Sequence, residues 1–167
     1  TAVDHAETDA ELAHRVNGAA PRTFAEALSS TGGRLLQVST DFVFSGAQGH
    51  PYQPEQIRAP LGVYGASKAA GEQAVEELLG IGVDGHGAIL RTSWVYGAVG
   101  KNFLLTMLRL HRDKASQGES LAVVADQVGC PTSTLGLATA CGALIKRGLS
   151  GVLHWSDAGA ASWYDVA

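Results

Sequence analysis

Tyr64 and Lys68 stand four positions apart in VYGASK, residues 63–68. On a helix that spacing stacks two side chains on one face. A phenol with its ordinary pKa of about 10 is a poor acid–base group at neutral pH, and a nearby ammonium stabilises the phenolate and lowers that value. The pair could therefore move a proton, although the same spacing is common on helix surfaces with no such role. Thr40 offers a third group. It lies in Ser39-Thr40-Asp41, directly after the apolar run Leu35–Val38, and ligands gather at the carboxyl ends of strands in open α/β sheets. A hydroxyl there could hydrogen-bond a substrate carbonyl and steer it toward Tyr64. The alternative is that Ser39-Thr40-Asp41 only caps a turn.

The surrounding pattern supplies elements to position these groups. Leu12, Val16, Ala20, Phe24 and Leu28 recur every four residues between Asp9 and Leu28, predicting an amphipathic helix that buries this stripe. Pro21 is expected to kink it or divide it into two helices. Gly32-Gly33 ends it, and Arg34–Ser39 reads as a strand with Phe42, Val43 and Phe44 close behind. Ser45–Val63, with Gly46, Gly49, Pro51, Pro54, Pro60 and Gly62, reads as a long loop of the kind that is commonly functional or disordered. A helix is predicted over Tyr64–Leu79, stopped by Gly80 and Gly82. Then come a strand at Ala88–Thr92, a helix at Asn102–His111, a strand at Leu121–Ala125, a helix at Thr134–Lys146 and a strand at Gly151–Trp155. This alternation indicates right-handed crossovers in the α/β class, a Rossmann-like doubly wound parallel sheet. Residues 1–100 are expected to be mainly Rossmann core with the catalytic helix, and 101–167 a mixture of substrate-binding region and late core elements.

A dinucleotide site of this class opens with a GxGxxG or GxxGxxG loop after its first strand, and no such run is expected in this chain. The chain also starts mid-pattern at Thr1 and stops at Ala167. It reads as a single internal fragment with an incomplete sheet and part of a C-terminal substrate-binding region.

Composition narrows the chemistry. The 167 residues carry 12 Lys and Arg against 16 Asp and Glu, a net charge of −4, with no basic run, so nucleic acid is not an expected partner. No stretch approaches the ~20 apolar residues that span a bilayer, and the opening residues are unlike a signal peptide, so a cytoplasmic protein is expected. Cys130 and Cys141 read as small buried hydrophobes. His5, His14, His50, His86, His111 and His154 lack metal-ligand spacing, so no metal site is expected.

The Thr40, Tyr64 and Lys68 set resembles the Ser/Thr–Tyr–Lys triad of the short-chain dehydrogenase/reductase family, in its extended branch. VSTDFVFSG (38–46), PLGVYGASKAAGE (60–72), RTSWVYG (91–97), KNFLLTMLRL (101–110) and VADQVGCPT (124–132) resemble successive motifs of the dTDP-4-dehydrorhamnose reductase family. TAVDHAE (1–7) resembles the segment after that family's fourth strand. The resemblance covers essentially the whole chain.

It implies NADPH- or NADH-dependent reduction of a dTDP-4-keto-6-deoxy sugar to dTDP-L-rhamnose. Tyr64 would protonate the new alkoxide, Lys68 would hold the nicotinamide ribose and lower the Tyr64 pKa, and Thr40 would orient the carbonyl. Arg91, Thr92 and Ser93 match residues near the nicotinamide. Trp94, Asn102 and Gln127 match sugar-facing positions, and Phe42 stands where the family commonly has Tyr. Each has a plainer reading: Trp94 as a core aromatic, Asn102 as an N-cap, Gln127 as a loop tie. Gly62 replaces the family's usual Asn and Cys130 a commoner Gly or Ala, which leaves sugar and nucleotide preference open. Some family members use magnesium, for which the sequence shows no ligand cluster, and a homodimer is compatible with the resemblance. Two other readings follow from the same motifs: a non-catalytic regulatory subunit like that of methionine adenosyltransferase, and an NAD-dependent nucleotide-sugar epimerase or dehydratase.

If the phosphate-binding loop lies upstream of Thr1, residues 1–167 alone are expected to bind NADPH poorly and to aggregate through an exposed strand edge. Calorimetric titration tests this, and micromolar binding by a soluble monomer would overturn it.

Overall fold

The computed structural model describes residues 3–167; the first two residues of TAVDHAE lie outside the described residues. Two helices open the chain, α1 (Val3–Thr8) and α2 (Ala10–His14), and the Asp9 side chain caps α2 by accepting the Leu12 N–H. A single π-helical turn, Arg15–Ala19, leads into α3 (Ala20–Ser29). Then follow β1 (Leu35–Thr40), a 3-10 turn at Asp41–Val43, the long α4 (Val63–Leu79), β2 (Gly87–Thr92), β3 (Val95–Tyr96) and α5 (Phe103–Ala115). The remainder is β4 (Val128–Gly129), β5 (Thr132–Ser133), α6 (Thr134–Arg147), β6 (Gly151–His154), β7 (Ala161–Ser162) and α7 (Trp163–Val166).

The chain divides into two compact units, one reaching to Thr92 and including Cys141–His154, the other comprising Ser93–Ala140 and Trp155–Ala167. The first holds the parallel sheet β1-β2-β6, with β2 in the centre. Every residue of β2 is buried, as expected for a parallel strand covered on both faces. Ala25, Val75, Leu79 and Ile89 form the core cluster, with Leu28, Leu35, Leu78 and Val152 packed around it. The second unit contains the parallel pair β3-β5 and the antiparallel pair β4-β7.

Of the predicted stripe, Leu28 packs against the core cluster, but Leu12, Val16 and Phe24 do not face the interior: these three side chains are 42 %, 56 % and 62 % exposed. Ala13, Asn17, Gly18, Pro21 and Ala25 are buried instead. Hydrophobic periodicity picks out the large residues, whereas close packing on α4 requires small ones. A Cβ on Gly71 would lie 2.1 Å from the Asn17 carbonyl oxygen, and one on Gly65 2.2 Å from that of Phe42. Pro21 is the second residue of α3, directly after the π turn that separates α3 from α2, so the helical segment is divided where Pro21 predicts.

Leu121–Ala125 forms no strand. Short apolar runs are ambiguous between states, and the backbone tie here is Tyr164 N–H to the Val124 carbonyl. Contrary to the expected absence, Gly80-Ile-Gly-Val-Asp-Gly85 does spell GxGxxG, but in reversed context, closing α4 and preceding β2. Gly80 and Gly82 adopt φ of 66° and 98°, and the Gly85 N–H bonds the Gly82 carbonyl at 3.1 Å. It ends a helix where a phosphate loop must begin one. The two cysteines are free and half-buried.

Gly71→Ala gains the ~1 kcal/mol by which Ala exceeds Gly in a helix, but the clash with the Asn17 backbone costs more. Urea unfolding is expected to show a net loss of about 1–3 kcal/mol.

Candidate active site

α4 begins at Gly62, whose lack of a side chain leaves the helix without its own cap. Glu7 of α1 supplies the acceptor: its Oε1 takes the Val63 N–H at 2.8 Å. A carboxylate thus stands at the positive end of the helix, an arrangement typically worth about 0.3–1 kcal/mol at a surface. Asn17 from the π turn donates to the Ser67 hydroxyl at 3.0 Å, which donates to the Tyr64 carbonyl at 2.8 Å. The first turn of α4 is therefore held from two sides.

Tyr64 and Lys68 are both half-buried. The Lys68 ammonium donates to the Val38 carbonyl of β1 at 2.7 Å. Burial pulls its pKa below the ordinary lysine value, and the charge of Glu72 opposes that shift. The Phe42 ring meets Tyr64 edge-on, centroids 5.6 Å apart. Thr40 is buried at the end of β1; its hydroxyl accepts the Phe42 N–H at 3.2 Å and donates to Asp41 Oδ1 at 3.1 Å. The capping role and the strand-end position coincide in this residue. Burial raises the Asp41 pKa against the hydrogen bond from Thr40. Strand register sets Thr40 beside Thr92 and Ser39 beside Arg91. Thr40, Phe42, Tyr64 and Lys68 thus gather at the carboxyl end of β1.

Arg91 points into the interior. Its Nε and Nη2 donate to Glu72 at 3.0 and 2.7 Å, its Nη1 donates to the Pro54 carbonyl at 3.0 Å, and its guanidinium lies 4.9 Å over the Phe44 ring. Arg58 of the loop donates to Glu72 at 3.1 Å and to both Glu76 carboxylate oxygens. Burial alone would raise the Glu72 pKa, but hydrogen bonds led by Arg91 hold it below the ordinary value. The Ser39 hydroxyl is buried without a well-formed hydrogen bond, yet lies near enough to favour the same charge. His154 is held below the usual imidazole value by burial and then by Arg91.

In the second unit the Ser93 hydroxyl donates to the Cys130 carbonyl at 2.6 Å. Trp94 adopts φ of 47°, a sparsely populated conformation for a bulky residue. Its ring stacks on Trp163, 3.5 Å between centroids, and Gly129 lies so close that a Cβ would be 2.5 Å from the indole. Gln127 Oε1 accepts the Trp163 N–H at 3.2 Å. These rings, with Tyr96, Phe103, Leu104 and Pro131, line an apolar cavity of about 400 Å³. Asn102 caps α5, accepting the Leu105 N–H at 3.1 Å and donating to the Gly97 carbonyl at 2.9 Å, which is its plainer reading. Among the described residues no group of three or more His, Cys, Asp or Glu could hold a metal ion, and no helix is long and apolar enough to cross a membrane.

Glu72 and Arg58 escaped the sequence reading, as did Asn17 and Trp163. A signal for Glu72 was present: it continues the four-residue spacing of Tyr64 and Lys68, and Glu76 continues it again.

A parallel β1-β2-β6 sheet with α3 and α4 packed on it defines an α/β protein, Rossmann-like as its structural neighbours are. The chain belongs to the family described as the RmlD substrate binding domain, whose model matches residues 1–167. It is 42 % identical to a dTDP-4-dehydrorhamnose reductase from Streptomyces griseus, over 100 % of this chain and 54 % of that protein. It is 41 % identical to a dTDP-4-keto-6-deoxy-D-glucose reductase from Streptomyces niveus, over 100 % and 55 %. The crystal structure of dTDP-4-dehydrorhamnose reductase from Bacillus anthracis in complex with NADP superposes with a TM-score of 0.88 at 41 % identity, covering 98 % of this chain and 55 % of that one. The chain spans about half the length of the curated relatives it matches.

The depressed His154 and Glu72 values set an acid response. Each group's folded pKa lies below its unfolded value, so the unfolded chain binds the proton first and stability rises with pH between the two values. The His154 contribution is complete above its ordinary value of 6.5 and the Glu72 contribution above 4.5; each is lost as pH falls through the folded value. Urea midpoints are expected to drop in two stages on acidification from neutral pH, and His154→Gln to remove the earlier one.

Proposed function

We propose that the protein carrying this chain reduces the 4-keto group of dTDP-4-dehydro-L-rhamnose to give dTDP-L-rhamnose in the cytoplasm, with NADPH as reductant. The observation that carries this reading is the Tyr64–Lys68 pair on one face of α4 against the carboxyl end of β1, beside Thr40. Whole-chain identity to reductases of 4-keto dTDP-sugars supports it, and the NADP of the Bacillus anthracis structure supports the cofactor.

The residues present fit a nicotinamide ribose. An ammonium has three N–H donors, and Lys68 commits one to Val38, leaving others for ribose hydroxyls. When bound, the reduced nicotinamide supplies a hydride to the carbonyl carbon. Tyr64 then gives its phenolic proton to the oxygen that gains negative charge. Lys68, positively charged beside it, lowers the cost of the phenolate left behind. Thr40 turns its hydroxyl proton from Asp41 to the carbonyl and so orients it. Within the second unit, the Trp94 indole, held by Gly129 and by Trp163, which Gln127 anchors, is an apolar face of the kind on which a sugar ring stacks.

In the full-length protein, Tyr64→Phe is expected to lower turnover of the 4-keto sugar by roughly 10²–10⁴-fold with cofactor binding nearly intact. Lys68→Met should weaken binding and turnover together. Loss of reduced-nicotinamide absorbance and a cofactor titration read the two effects. Wild-type turnover in both variants would dismiss the assignment, and no oxidation above the Tyr64→Phe control would favour a regulatory, non-catalytic subunit.

A further inference from the structure

Tyr64, Lys68, Glu72 and Glu76 follow one another at four-residue intervals along α4, so the chemistry-bearing face continues beyond the lysine into a buried carboxylate. The Glu72 side chain is fully buried, and Arg91 beside it is 4 % exposed. An ionised carboxylate in such a place requires compensation, since its effective desolvation cost is several kcal/mol. The compensation comes from different parts of the fold: Arg91 from β2 at 2.7 Å and Arg58 from the 44–62 loop at 3.1 Å.

We propose that Glu72 is the positioning residue of the Tyr64–Lys68 pair: through Arg91 and Arg58 it fixes α4 to β2 and to the loop that runs into Tyr64, and it supplies the counter-charge one helical turn from Lys68. This rests on the reading of Tyr64 and Lys68 as the proton-transfer pair. The geometry gives Glu72 two tasks. Mechanically, the bonds to Arg91 and Arg58 tie helix, sheet and loop at one point, and Arg58 extends the tie by a forked contact to Glu76, 3.0 and 2.8 Å. Electrostatically, Glu72 tempers the positive potential that Arg91, Arg58 and Lys68 would otherwise impose on the phenol. Other charged or titratable groups around α4 are Glu7 of α1 at its start, His14 of α2 near Ala70 and Gln73, Asp41 of the 3-10 turn, Arg22 of α3 paired with Glu77 near its end, and His154 of β6 at 3.5 Å from Arg91.

The sign of the charge separates this role from simple packing. Glu72→Gln keeps the shape and removes the negative charge, which makes the surroundings of Tyr64 more positive and its phenolate easier to form. Arg58→Gln removes a cation whose side chain is 25 % exposed, leaves Arg91 on Glu72, and acts in the opposite direction. The test is titration of tyrosinate absorbance in the full-length protein, each variant measured against its Tyr64→Phe counterpart to isolate Tyr64. The alkaline limb of turnover of the 4-keto sugar is measured alongside.

Glu72→Gln is expected to move Tyr64 ionisation down by about half a pH unit or more, and Arg58→Gln to move it up by less; the alkaline limb should follow both. If burial of an uncompensated Arg91 prevents Glu72→Gln from folding, an upward shift in Arg58→Gln still supports the role. An unmoved Tyr64 in every folded variant, or shifts of the same sign, overturns it, whatever happens to turnover. Tyrosinate titration needs no substrate. A wild-type protein that reduces no keto sugar while the opposed shifts appear would sink the functional reading and leave the positioning role standing.

Discussion

A helix can bring a tyrosine and a lysine to the end of a strand only if its backbone reaches the neighbouring segments, and side chains ordinarily hold helices 8–10 Å apart. Here α4 lies where Cβ atoms on Gly65 and Gly71 would run into the carbonyl oxygens of Phe42 and Asn17. That closeness lets Lys68 reach the Val38 carbonyl and Phe42 touch the Tyr64 ring. It also explains the placement of polar groups in a tight contact. Asn17 is buried in the π turn and bonds Ser67, which bonds the Tyr64 carbonyl, so the contact carries hydrogen bonds where bulk has no room.

The buried charges impose a second condition. Replacing a buried ion pair with hydrophobic residues is often neutral or favourable, whereas removing one partner typically costs about 3–5 kcal/mol. Glu72 with Arg91 is therefore weak as a source of net stability and strong as a constraint on which segments must be in place together. The loop before α4 is ordered through this constraint and through its own contacts: Phe44 stacks on Tyr52, centroids 4.3 Å apart, and the Ala59 N–H bonds the Val43 carbonyl at 2.8 Å. A segment whose glycines and prolines read as a long loop is thus tied down by Arg58, by Arg91 at the Pro54 carbonyl, and by a pair of rings.

Much of the first unit was legible because its signals are local. Glycine and proline mark where α4 starts and stops, and the alternation of strands and helices indicates a parallel sheet. Thr40 was legible at a strand end, and Tyr64 with Lys68 by helical spacing. The stripe of Leu12, Val16 and Phe24 misled because apolar periodicity shows what could be buried, while the face that packs on α4 is set by what is small enough to fit. The apolar run at Leu121–Ala125 misled because nothing within such a run says whether another strand is available to pair with it.

By itself the sequence determined the succession of β1, α4 and β2, the Tyr64–Lys68 spacing and the position of Thr40, since these follow from backbone preferences and from residues a few positions apart. Only the tertiary structure decided which groups those residues meet. Arg91, which the family resemblance placed near a cofactor, turns inward to Glu72, and Asn102 and Gln127 have partners in Gly97 and Trp163. The physical reason is that a charged or hydrogen-bonding side chain is assigned its role by the partner that compensates its burial, and that partner comes from wherever the fold brings a complementary group within about 3 Å.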